Sequence, residues 1–302
     1  MYFSLHGQPI QIVATTAEEA VDIAVKTGFK YFALPVQTPP AKINPETITK
    51  KEIADLKNIF QSKGIEISSF GMAWPKKGGY NMFTKSKAQW DRNLNYAHKL
   101  FDYAAGLGVK VICGPNQRSI PSDMNYFEAM KIYVKFWKEA IKHAEELGII
   151  AAPDVVPLPG FVPVSASNTA KQLIDMVKAV DSPSFQICFE TNIHAPNELD
   201  VCDCIEAMGD MIKLVHLADV PGSDGRFNPL IDWAEPLSLY GIRPGTGKID
   251  FRAVFKTLKN IGYDGECSIE WLPHQLPFTP EDDYISELIL GRKFCEKELN
   301  MA

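Results

Sequence analysis

Several side chains able to hold a metal or move a proton stand at the ends of short apolar runs. Asp154 closes GIIAAPD, Glu190 sits in FQICFET, His216 and Asp219 lie in IKLVHLAD, and Glu270 stands in GECSIEW. His6 follows YFSL, Asn116 follows VKVICGP, and His194 comes four residues after Glu190. If these runs are neighbouring strands, carboxylates and an imidazole share one rim. Ionised carboxylates meeting in one cleft repel strongly. A divalent cation relieves that repulsion. Two or three carboxylates with an imidazole and open water positions suit Mg²⁺, Mn²⁺ or a related ion such as Co²⁺. Each residue also has a plainer role open to it. Asp154 could cap a helix, His216 could be a satisfied core histidine, and Glu270 could pair with a loop arginine such as Arg243. The joint pattern is more specific than any one member of it.

The runs belong to a regular strand-then-helix beat. Thr16 and Glu19 make a capping-box pattern ahead of an amphipathic stretch that ends at Gly28. Further helices are predicted over about 47–63, 86–107, 124–147, 168–180, 197–208, 250–261 and 281–299. Continuous apolar strands indicate burial on both faces, as in a parallel sheet. Eight such units in 302 residues predict one α/β domain over residues 1–302, a (β/α)₈ TIM barrel with its chemistry at the C-terminal strand ends. The first strand-to-helix turn carries no GxGxxG pattern, which argues against an open dinucleotide-binding sheet.

Composition narrows the partners. The hydrophobic share of 46% supplies a large core, and the net charge of −6 without any Lys/Arg block argues against nucleic acid. No apolar stretch is long enough to span a membrane, and MYFSLHGQPI lacks a basic segment followed by an apolar one, as a secretory signal would have. The six cysteines form no CxxC pair, so reduced thiols and a cytoplasmic location are expected. His98 and His143 fall on helices away from the rim and are expected to be structural.

The later motifs resemble the xylose isomerase-like TIM-barrel superfamily of sugar isomerases and epimerases, which includes hydroxypyruvate isomerase and ketose 3-epimerase types. LVHLADVPG (214–222), PGTGKIDF (244–251) and IGYDGECSIEW (261–271) carry the resemblance, and GVKVICGPN (108–116) is similar to the fourth strand. It implies one divalent metal held from strands 5 to 8, here by Asp154, Glu190, His216 and Glu270, with the strand-5 and strand-8 carboxylates as an acid/base pair. Two positions depart from the pattern in opposite directions. Asp154 stands where the family has Glu, and Glu190 where it has Asp. His194 also lies four residues after Glu190, where the family spacing is three. The segment 155–164 is apolar and proline-rich, and Trp74, Trp233, Tyr240 and Trp271 add aromatic surface near the rim.

The expectation is a metal-dependent isomerase or epimerase that removes a proton next to a carbonyl and forms an enediolate. Glu270 would take or return the proton, with Asp154, His194 or His6 as its counterpart. His6, Trp74, Asn116, Arg226 and Arg243 are expected to touch a small carbohydrate. A lyase or deglycosidase acting on a 3-oxo-glycoside shares the first step and is the alternative. A non-catalytic barrel is the third. A homodimer or homotetramer is the expected assembly.

Overall fold

The computed structural model describes residues 1–35, 39–41, 43–71, 80–114, 120–121, 123–154, 169–192, 200–220, 241–271 and 281–302. Its strands are β1 (Tyr2–His6), β2 (Tyr31–Leu34), β3 (Glu66–Gly71), β4 (Val111–Cys113), β5 (Ile150–Ala152), β6 (Ile187–Glu190), β7 (Ile212–Leu217) and β8 (Glu266–Ile269). They alternate with helices α1 (Ala17–Thr27), α2 (Lys50–Ser62), α3 (Lys87–Leu107), α4 (Tyr126–Leu147), α5 (Ala170–Val180), α6 (Val201–Met208), α7 (Phe251–Asn260) and α8 (Glu281–Met301).

Side-chain chemistry fixes where these helices begin. Thr16 and Thr49 each accept a hydrogen bond from the backbone three residues on, and Glu19 and Glu52 reach back to complete capping boxes. The predicted start near residue 47 therefore moves to Lys50. Asp200 accepts from the amides of Cys202 and Asp203 and so caps α6, which starts at Val201; the predicted start near 197 lies outside the described residues.

Neighbouring strands pair in parallel in the order β5-β4-β3-β2-β1-β8-β7-β6. The two ends of this sheet meet. A parallel bridge joins Ala151 to Phe185, and the Gln186 and Cys188 amides donate to the carbonyls of Ala151 and Pro153 at 2.9 and 3.0 Å. The eight strands thus form a nearly closed (β/α)₈ barrel. Alternate strand residues face the helices, where Phe32 meets Phe60 of α2 and Phe70 meets Tyr103 of α3. Trp137 of α4 stacks on Phe185. The opposite parity fills the interior. Val111, Cys113, Ala152, Cys188 and Leu214 form a separate small cluster there. Among the described residues no helix is long and apolar enough to cross a membrane.

One patch of the interior is polar. Ser4 of β1 and Ser69 of β3 donate to the same carboxylate oxygen of Glu266 on β8, at 2.5 and 2.9 Å. β3 and β8 are not neighbours, so the Glu266 carboxylate lies inside the barrel, at the end opposite the strand C-termini. Burial pushes its pKa up, against the opposing effect of the serine hydroxyls. The sign of the pH effect follows. Between the ordinary value of about 4.3 and the raised folded value, the native protein holds a proton that the unfolded chain has released. Stability therefore falls as pH rises through that window. Glu266→Gln is expected to flatten this fall in urea unfolding run at a series of pH values. Equal slopes in the two proteins would assign the proton elsewhere.

Candidate metal centre and active site

The groups that meet at the C-terminal rim come from β1 and from β5 to β8. His6 ends β1, Glu190 ends β6 and His216 lies on β7, while Asp154 lies two residues past β5 and Glu270 directly follows β8. Backbone bonds hold these ends in register. Glu270 donates its amide to the Leu217 carbonyl at 3.0 Å. Thr191 clips β6 to β7 by donating its hydroxyl to Ala218 O at 2.7 Å and accepting from Ala218 N at 3.1 Å. Gly114, just after β4, donates to Ala152 O at 2.8 Å, which binds the fourth and fifth strand ends together.

His216 is the hub. Its Nδ1 lies 2.6 Å from Glu270 Oε2 and 3.3 Å from Glu190 Oε1. The His6 ring lies 5.0 Å from the His216 ring, and its Nδ1 is 3.6 Å from Glu270 Oε1. His6, Asp154, Glu190 and His216 are all buried, and the Glu270 side chain keeps 19% of its exposure. Both ring nitrogens of His216 are nonetheless buried without a directed hydrogen bond. The carboxylates therefore crowd Nδ1 off the line of any N–H. A buried imidazole with unbonded nitrogens beside two carboxylates is a donor set that a dication would complete, so these residues fit a divalent metal. His6, His216 and Glu270 each offer a ligand atom within 4.8 Å of the others.

The carboxyl groups differ in acidity. Burial would raise Glu270, but His6 and His216 draw it down to about 2, so it stands ionised. Burial and the neighbouring Glu190 push Asp154 well up. Glu190 is itself raised by burial, against the pull of His216. Burial lowers His6 to about 4, only partly offset by Glu270. A more acidic carboxyl group, Glu270, and a less acidic one, Asp154, thus share one cleft, a difference that lets two carboxyl groups divide acid and base roles.

Of the residues singled out from the sequence, Asp154, Glu190, His216, Glu270 and His6 come together. His6, expected as a substrate contact, stands within the charged cluster. Arg243 does not join it: its Nε donates to Glu287 on α8 at 2.6 Å. Trp74, Asn116, His194 and Arg226 lie outside the described residues, as do Trp233 and Tyr240. Trp271 is buried against Tyr284 of α8. Asp219 serves the loop after β7, its two oxygens accepting from the amides of Val220, Gly245, Gly247 and Ile249 at 2.8–3.0 Å. His98 and His143 pack together between α3 and α4, with His143 Nε2 2.8 Å from Asp102. The sequence reading missed Cys113 and Cys188, which reach the site from below. Their signal was parity, since Cys188 stands two residues before Glu190 on the same strand face.

Known structures share this architecture. The D-psicose 3-epimerase of Clostridium cellulolyticum H10, solved with D-tagatose, superposes with a TM-score of 0.77 at 16% identity, covering 99% of each chain. The 3-keto-D-glucoside 4-epimerase of E. coli gives 0.70 at 17% identity over 97% of this chain and 99% of its own. The IolI protein, solved with a bound zinc atom, gives 0.74 at 16% identity over 100% and 99%. At these identities the likeness is one of fold. The family assignment comes from the sequence itself: residues 21–293 match the family model described as xylose isomerase-like TIM barrel, and the chain belongs to that family.

Proposed function

We propose that the protein is a divalent-metal-dependent sugar isomerase or epimerase that works by removing a proton next to a carbonyl. The observation that carries this is the hub at the rim, where His216 Nδ1 stands 2.6 Å from Glu270 and 3.3 Å from Glu190 with no directed hydrogen bond of its own. Asp154, Glu190, His216 and Glu270 would hold the metal, with His6 beside them. A dication there supplies Lewis acidity toward a carbonyl oxygen and its neighbouring hydroxyl.

The chain's own residues account for the proton movements. Glu270, ionised and partly exposed, takes the carbon-bound proton. Asp154, just past β5, returns one. His6 stays neutral beside Glu270 and orients it. Burial of His6, Asp154, Glu190 and His216 strengthens each electrostatic contact among them. Return of the proton to the opposite face gives an epimer, and return to the neighbouring carbon gives an isomer.

The structural neighbours act on ketoses and, in one case, on a 3-keto-glucoside, which supports a sugar or oxidised glycoside as the substrate class. Elimination of an aglycone from a 3-oxo-glycoside starts with the same proton and is the second reading. Metal-loaded protein incubated in D₂O with ketoses and 3-oxo-glycosides, followed by NMR, tests both. Deuterium exchange with an intact carbon framework is the expected result. Release of an aglycone would establish the lyase. No exchange with any substrate, despite bound metal, would leave a barrel without this chemistry.

A further inference from the structure

We propose that the barrel interior, directly beneath the carboxylate rim, carries a second metal site for thiophilic ions such as Zn²⁺ or Cd²⁺, formed by Cys113, Cys188 and His216. The site stands on its thiols and imidazole, and does not rest on the sugar chemistry proposed above.

Cys113 ends β4 and Cys188 lies on β6, strands that are not adjacent in the sheet, so their sulfurs meet only by pointing into the barrel. The Sγ atoms lie 3.7 Å apart. That spacing suits a shared ion. With Zn–S bonds of about 2.3 Å, the sulfur–sulfur edge of a tetrahedron is about 3.8 Å. A ring nitrogen of His216 completes a set of three ligand atoms that all lie within 4.8 Å of one another. All three residues are buried, and His216 has no directed hydrogen bond at either nitrogen. Asp154 Oδ2 stands 3.9 Å from the Cys113 sulfur and offers a fourth donor. Two thiolates, an imidazole and a carboxylate form a tetrahedral donor set of the kind that selects soft or borderline ions over Mg²⁺ or Mn²⁺.

His216 is common to this set and to the carboxylate set. A neutral imidazole has one lone pair for a metal. The two sites are therefore mutually exclusive at His216, and a thiophilic ion bound below withdraws the hub of the rim above.

Cd²⁺ titration reads the site directly. Of the six cysteines only Cys202 is not buried, so the measurement is made in a Cys202→Ser background. The expected result is a near-ultraviolet sulfur-to-cadmium charge-transfer band that saturates at one equivalent and is lost in Cys113→Ser and Cys188→Ser. Cys113→Ala and Cys188→Ala, which keep an apolar layer, repeat the test should the serine variants unfold. One equivalent of Cd²⁺ should also lower the bound fraction of Mn²⁺, followed by electron paramagnetic resonance, in the parent and not in the folded cysteine variants. An absent band, or one that survives both replacements, overturns the thiolate site. Failure of every variant to bind Mn²⁺ would count instead against the carboxylate site and leaves the band as an independent result.

Discussion

Glu270→Gln is expected to slow exchange of the substrate's carbon-bound proton by about 10²–10⁴-fold, the usual contribution of a positioned general base. The amide keeps the shape of the carboxylate and loses both its charge and its basicity. His216 at 2.6 Å favours the ionised form of Glu270, and neutral His6 stands 3.6 Å away, so in the wild-type protein the base is ready without any prior loss of a proton. The variant also removes one candidate ligand. Metal content must therefore be measured beside exchange, and the comparison made at saturating Mn²⁺. Asp154→Asn provides the contrast. Asp154 is the proposed counterpart that returns the proton, so its loss should impair the return of the proton more than its removal. Unchanged exchange in Glu270→Gln with metal bound would take Glu270 out of the chemistry and sink the proposed mechanism.

The barrel was legible because each unit repeats a physical pattern that sequence displays openly. Apolar runs mark strands buried on both faces, and the capping boxes at Thr16 and Thr49 mark helix starts. The rim carboxylates were legible for the same reason: a charged residue that closes a continuous apolar run sits at the edge of the core and needs a partner there. The polar groups deeper in the barrel were harder to read. Glu266 and Ser268 of β8 and Glu270 just past it share one parity, which faces inward, but Glu266 opens its strand and so resembled an ordinary polar boundary. Cys113 and Cys188 also point inward, and a cysteine in an apolar run looks like core in any strand. Only the barrel's closure brings β4 and β6 across from one another and makes a pair of them.

The motif PGTGKID was legible as a family mark, but its physical meaning was not. Its glycines follow from Asp219, which lies more than twenty residues earlier. The Asp219 carboxylate accepts four backbone amides, from Val220, Gly245, Gly247 and Ile249, and is completely buried. Gly247 must come so close that a Cβ there would lie 2.0 Å from Val220 O and 2.5 Å from Asp219 Oδ1. Gly245 has φ +88°, and a Cβ on it would meet the Phe294 ring at 2.7 Å. The motif therefore encodes a loop wrapped around one carboxylate, three residues past His216 of the rim.

That arrangement makes Asp219 a residue whose loss should cost much stability. Asp219→Ala removes the acceptor for four amides at once, three of them in or next to the PGTGKID loop, and buried donors left unsatisfied cost about 1–3 kcal/mol each. Water entering the vacated space would recover part of that. We expect a net loss of about 3 kcal/mol or more in urea unfolding. Asp219→Asn separates charge from shape. Its side-chain oxygen can still accept from one pair of amides, while its NH₂ group turns donor toward donor against the other pair, so an intermediate loss is expected. Because Asp219 also pairs with Ile242 beside the end of β7, through amide–carbonyl bonds of 2.8 Å in both directions, loosening this loop should reach His216. Mn²⁺ affinity is therefore expected to fall in Asp219→Asn even under conditions where the variant is fully folded. A destabilisation of Asp219→Ala below about 1 kcal/mol, with unchanged Mn²⁺ affinity in Asp219→Asn, would show that the loop holds its shape without this carboxylate.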